Sequence, residues 1–302
     1  MTRDPRVCPA GHRVPAIASS TSSVGPAVIV AVLLAAGLHA AWNALAHAIH
    51  DQLVGFALIG TAVTVCAAGI VLVFPTPSQA SWPFLTGSAA LHVAYNLLLM
   101  RCYRLGDFGQ VYPLARGTSP WLVAIGAAVF AGEQLPGIRL LGVLVISVGL
   151  ATLVFAGGVP TRAARPAIAA ALLTGVTIAT YTTLDGLGVR HAGTVAGYAG
   201  WLFLLQGPAL PLGALAARRG RLWQQARPHL PAGLAGGVLS LAAYGLVLWA
   251  QTRGALAPVA ALRETSVIVG AVVGAVLFRE PFGRWRIAAT VLVAGGVVLI
   301  TL

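Results

Sequence analysis

Arg116 and Arg263 each stand roughly two turns inside a long apolar stretch. Near the centre of a membrane helix an arginine costs about 2.5–3.5 kcal/mol, so it faces a partner or a water-filled cavity. Two chemistries are open. A planar guanidinium can hold the carboxylate or other anionic group of a substrate through two parallel hydrogen bonds. Alternatively Glu264, the one obvious acid at that depth, neutralises an arginine and keeps two parts of the chain in register. Pro113 and Pro120 flank Arg116 and are expected to kink its helix and free backbone carbonyls.

Other polar residues recur at helical spacing, where positions three and four apart share a face. The sets are His39, Asn43, His47 and His50; His92, Tyr95, Asn96 and Tyr103; Tyr112, Arg116 and Ser119; Thr174, Thr177, Tyr181 and Asp185; Ser240, Tyr244 and Gln251; Arg263, Glu264 and Ser266. Trp42, Tyr95, Tyr112, Tyr181 and Tyr244 could cage a ring or a cation, or simply pack. His39 and His92 could carry protons, since imidazole titrates near neutrality, or could be buried neutral rings. The candidate substrate-binding set is His39, Trp42, Asn43, Tyr95, Asn96, Tyr112, Arg116, Ser119, Tyr181, Tyr244, Arg263 and Glu264. Glu133 and Glu280, near Arg139 and Arg286, read as ion pairs at span ends or as structural glutamates.

No Gly-rich phosphate loop, nucleophile with its base, or metal-ligand cluster is spaced for chemistry. Cys8, Cys66 and Cys102 form no disulfide framework. No cofactor and no metal are expected.

The composition says which elements position these residues. Of 302 residues, 58% are hydrophobic and 9% charged, and the mean hydropathy is +0.87. A soluble domain carries about a quarter of its residues charged, so this chain lacks the polar surface to face water. All 19 cations are arginine, giving a net charge of +12. They fall singly or in short groups between apolar runs, with no basic face, which argues against a nucleic-acid partner. A helix needs roughly 20 apolar residues to cross a bilayer. Ten such stretches are legible, at about 27–47, 53–74, 83–101, 108–131, 137–156, 166–185, 194–217, 230–250, 257–278 and 285–302. Residues 1–25 are polar and aperiodic, and read as a disordered tail rather than a cleaved signal.

The chain also repeats itself. A shift of 147 aligns Arg116, Thr118, Ser119, Glu133, Arg139 and Gly149 with Arg263, Thr265, Ser266, Glu280, Arg286 and Gly296. Upstream, a shift of 149 pairs Ala94-Tyr95 and Arg104 with Ala243-Tyr244 and Arg253. Two five-helix units, 26–157 and 158–302, are therefore expected. Because five is odd, they enter the membrane with opposite orientation, an architecture of alternating-access transporters. Helices 5 and 10 of this scheme are aliphatic, and Gly142, Gly149, Gly295 and Gly296 suit close packing between them.

The segments LHAAWNAL (38–45), VYPLARGTSP (111–120) and AALRETS (260–266), with Glu133 and Glu280 downstream, resemble the EamA-type transporters of the drug/metabolite transporter superfamily. The resemblance implies an all-α, ten-helix, inverted-repeat carrier of a bacterial inner membrane. It implies a central cavity lined by helices 1, 3, 4, 6, 8 and 9, and a small solute such as an amino acid, with export expected. Related four-helix exporters use a helix 1 glutamate for proton coupling; here that helix offers only His39 and Asn43. Besides the solute, the expected partners are membrane lipid and a coupling proton or exchanged solute. The main alternative is a membrane enzyme acting on a lipid-linked substrate through His39, His92 and Asp185; another is a membrane scaffold. Orientation stays open: with the termini inside, the flanking arginines number six inside and eleven outside, against the positive-inside rule.

Overall fold

The computed structural model describes residues 25–105, 108–157, 162–269 and 283–302. The tail expected over residues 1–25 lies outside them apart from Gly25. So does Glu280, together with the far part of the ninth expected span. Every regular element among the described residues is helical: α1 (Pro26–Ala48), α2 (Gln52–Val73), α3 (Trp82–Leu105), α4 (Phe108–Ala131), α5 (Gly137–Thr152), α6 (Arg165–His191), α7 (Val195–Gln206), α8 (Ala209–Arg218), α9 (Leu222–Ala226), α10 (Leu230–Gln251), α11 (Leu256–Arg263) and α12 (Arg284–Thr301), with short 3₁₀ turns between some of them. Nine spans among the described residues are long and apolar enough to cross a membrane. The protein is a multi-pass membrane protein.

Local chemistry sets several boundaries. Asp51 opens α2, its Oδ1 accepting from the backbone N–H of Leu53 (3.1 Å) and Val54 (3.3 Å). Thr194 opens α7 by accepting from Gly197 N at 3.2 Å. Pro208 cannot donate a backbone hydrogen bond, and the apolar stretch expected as one helix divides there into α7 and α8. The sixth span continues to His191, well past the expected end at 185. Helix α4 continues as one helix through Pro113 and Pro120. An interruption falls just after α11. At Glu264–Thr265 the chain tightens into three-residue hydrogen bonds, Glu264 N to Ala261 O (3.1 Å) and Thr265 N to Leu262 O (3.2 Å), before helix resumes over 266–269. The Thr265 hydroxyl also donates to Leu262 O at 2.7 Å.

Helix α5 packs on α12, α3 and α4 on α6, α1 on α10 and α11, α2 on α7 and α10, and α4 on α11. The α5–α12 contact is backbone against backbone. A Cβ on Gly142 would come within 2.8 Å of Gly296 O, and one on Gly296 within 2.5 Å of Ile146. Gly149 joins this seam, whereas Gly295 has nothing within 4 Å of a Cβ and faces away from it. Large apolar side chains such as Leu72, Val129, Phe130 and Val291 are exposed, while Arg116, Asp185, Arg263 and Glu264 are buried. A soluble domain would invert that distribution, and lipid is the solvent that suits it.

Candidate functional site

Packing α4 against α11 brings Arg116 and Arg263 to the same acid. Arg116 Nε and Glu264 Oε2 are 2.5 Å apart, an ion pair without the alignment of a hydrogen bond. The Arg263 Nη2 and Nε atoms reach Glu264 Oε1 at 3.2 and 3.4 Å. Arg116 Nη2 donates to Ser266 Oγ at 3.2 Å. The tightened turn at Glu264–Thr265 sets this geometry, since residues 263, 264 and 266 all reach the cluster from one short stretch. Two cations and one anion leave this three-residue cluster, taken by itself, one positive charge in excess. The internal pairing read from the sequence is therefore real, but it neutralises only one of the two arginines.

The Tyr112 ring lies under Arg116, with the guanidinium carbon 5.8 Å from its centroid. Ser119, one helical turn beyond Arg116, is fully buried and its Oγ has no hydrogen-bond partner among the described residues. On α1, Trp42 Nε1 donates to His39 Nδ1 at 3.1 Å. An indole nitrogen only donates, so a neutral His39 carries its proton on Nε2. That Nε2 is buried and has no partner among the described residues. Arg116 and Arg263 are both close enough to act electrostatically on the His39 ring.

The tyrosines gather beside this cluster. The Tyr95 and Tyr181 centroids are 5.7 Å apart, Tyr181 and Tyr244 6.4 Å, and His92 lies 3.9 Å from Tyr181 and 5.3 Å from Tyr244. Helices α3, α6 and α10 thus contribute one aromatic wall. Asn43 and Asn96 behave differently: their amides donate to His39 O (2.7 Å) and His92 O (3.0 Å) on their own helices. Thr174 and Thr177 likewise donate to carbonyls four residues back. For Thr174 and Thr177 such back-bonding satisfies the hydroxyl locally and weakens the case that they contact a solute, whereas the asparagine amide oxygens are not used in these bonds.

Four residues at this centre stand outside the candidate set: His92, Asp185, Tyr198 and Ser266. Asp185 Oδ1 accepts from the Tyr198 hydroxyl at 3.0 Å, and Oδ2 accepts from the Tyr244 hydroxyl. Ser88 Oγ sits 3.2 Å from His92 Nδ1 on the same side. Helical spacing had already put His92, Asp185 and Ser266 on polar faces; Tyr198 carried no such signal.

Nearer the helix ends, Glu133 joins three segments. Its Oε1 pairs with Arg190 Nη2 at 2.7 Å and its Oε2 accepts from Leu256 N, at the start of α11, at 2.8 Å. Arg190 in turn donates to the carbonyls of Gln251 (2.9 Å) and Gly254 (2.8 Å). The partner of Glu133 is thus Arg190, not the Arg139 that lies near it in sequence. No group of three or more His, Cys, Asp or Glu among the described residues could hold a metal ion.

No curated protein matches the chain. A crystal structure of another protein superposes with a TM-score of 0.67 at 17% identity, covering 91% of this chain and 96% of the other; at that identity the likeness concerns the fold alone. Residues 165–302 match the model of the EamA-like transporter family. Over that second half the chain is similar to EamA-like transporters.

Proposed function

We propose that the protein is a secondary transporter of a bacterial inner membrane, moving a small carboxylate-bearing solute, such as an amino acid or a related compound, by alternating access between two inverted five-helix units, 26–157 and 158–302. The sequence repeat supports this, and so do the helix pairings. If α1, α2, α3, α4 and α5 correspond to α6, α7–α8, α10, α11 and α12, then α3 on α6 exchanges with α10 on α1, and α4 on α6 with α11 on α1. The pairs α4–α11, α2–α7 and α5–α12 each exchange with themselves. A two-fold axis in the membrane plane requires such a pattern.

The observation that carries the substrate class is that Arg116 and Arg263 share the one carboxylate of Glu264, near His39 Nε2, which has no partner among the described residues. An anionic group entering there would meet charge-assisted donors in a low-dielectric interior. Tyr95, Tyr112, Tyr181, Tyr244 and Trp42 would wall the solute, with Ser119 an additional hydrogen-bonding group. Asn43 and Asn96 would border it through their amide oxygens.

Purified protein in liposomes, offered a panel of labelled amino acids and other small carboxylates, tests the reading. Saturable uptake of at least one carboxylate is expected. His39→Phe leaves the ion pairs intact and should lower that uptake about tenfold, as for a lost hydrogen bond to a charged group. Uncharged analogues carried as well as the carboxylates, or unchanged transport by both His39→Phe and Arg263→Gln, would overturn it.

A further inference from the structure

Of the acids among the described residues, Asp51 pairs with Arg218 and is about a third exposed, Glu133 pairs with Arg190, and Glu264 lies between two arginines. Asp185 differs from all three. It is fully buried, and no cation among the described residues forms an ion pair with it. Its two oxygens meet the hydroxyls of Tyr198 on α7 and Tyr244 on α10. His92, on α3, lies against Tyr181 of α6 with its ring tilted by 30° and meets Tyr244 edge to face. From α11, Arg263 acts on Asp185 through the intervening space, with Glu264 at its side. Helix α4 brings Tyr112 and Arg116 to the same interior.

Burial without an ion pair disfavours the charged form of a carboxyl group while the hydroxyls of Ser88, Tyr198 and Tyr244 favour it, so Asp185 is placed to hold or release a proton. The charge sum then matters. With Asp185 protonated, the interior made by Arg116, Arg263, Glu264 and Asp185 carries a net +1; with Asp185 ionised, it carries zero. An anion beside Arg263 and a negative Asp185 repel one another and draw on the same guanidinium.

We propose that Asp185 is a proton-binding site and that a proton on Asp185 and an organic anion at the Arg116–Arg263 cluster favour each other's binding. This rests on the transport reading above and deepens it. The step is an acid–base equilibrium: Asp185 takes one proton from water as the anion enters and returns it when the anion leaves. By linkage, each ligand raises the affinity of the other by the same factor. Proton and anion therefore travel in the same direction, and an inward proton gradient drives the solute inward, opposite to the export expected from the sequence resemblance.

Infrared difference spectra of the protein in nanodiscs test the site without any substrate. The wild type should show a protonated-carboxyl C=O band that titrates away on raising the pH and is missing in Asp185→Asn. Tyr244→Phe, which removes one hydroxyl and keeps the acid, should keep the band and move its midpoint. Absence of the band in the wild type, or its persistence in Asp185→Asn, would overturn the proposal. In liposomes, an acidic exterior should raise initial carboxylate uptake about tenfold in the wild type. It should do nothing for Asp185→Asn, which should still exchange labelled for unlabelled solute. Uptake slowed by the acidic exterior, or a gradient response kept in Asp185→Asn, would also overturn it. A wild type that carries no carboxylate of the panel would strike the transport reading instead, with the spectra then deciding for or against the proton site.

Discussion

Arg116 and Arg263 hold matching places in the sequence repeat, yet the helices that carry them are built differently. After Arg116 comes Gly117. A Cβ there would come within 3.0 Å of the Leu150 Cβ and of Ser147 O, so α4 lies flush on α5 and runs on as one helix. After Arg263 comes Glu264, where the chain tightens, the helix is interrupted, and the carboxylate reaches both arginines. One copy of the motif supplies fit, the other supplies charge. Positions that match in sequence need not do matching work.

The comparison can be broken first at its acid. Glu264→Gln leaves two guanidiniums buried without a counter-ion, and should cost about 3–5 kcal/mol, read as thermal unfolding in detergent. Replacing Arg116, Arg263 and Glu264 together by apolar residues of similar volume should recover most of that stability while abolishing carboxylate uptake. A Glu264→Gln protein as stable as the wild type would mean that the acid does not tie the helices. Next is the fit. Gly117→Ala should cost about 1–3 kcal/mol by the same measurement, because the new methyl meets backbone as well as Leu150. The single hydrogen bond from Arg116 to Ser266, at 3.2 Å, should be worth about 1 kcal/mol in Ser266→Ala. Smallest of all, Gly295→Ala, with open space around its Cβ, should change stability by less than about 0.5 kcal/mol.

Most of the helices were legible because lipid demands about 20 apolar residues per crossing, and nothing else in this composition competes with that signal. The charged cluster was legible too, because Arg116, Arg263 and Glu264 were costly enough to stand out. In the sequence Asp185 stands on the polar face of its helix, but at the end of the span. The expected sixth span ends at that charge, whereas the helix continues to His191 and holds the carboxylate inside. Pro113 and Pro120 each deprive a carbonyl four residues back of its donor, and α4 nonetheless continues as one helix. The interruption beside Arg263 has no proline at it; it follows from the short hydrogen bonds of Glu264 and Thr265 and from the pull of two guanidiniums. Pairings such as Glu133 with Arg190, 57 positions apart, carry no sequence spacing to read.

The glycine seam between α5 and α12 has a mechanical consequence. Because the two backbones already touch at Gly142, Gly149 and Gly296, the helices have no room to approach, and pulling them apart would open a void lined by Ile146 and Ile300. The seam resists compression and separation, but a twist about its own length changes few of these contacts. It can therefore serve as an axle, and any rocking that exposes the arginine cluster first to one face and then to the other would swing the remaining helices around it.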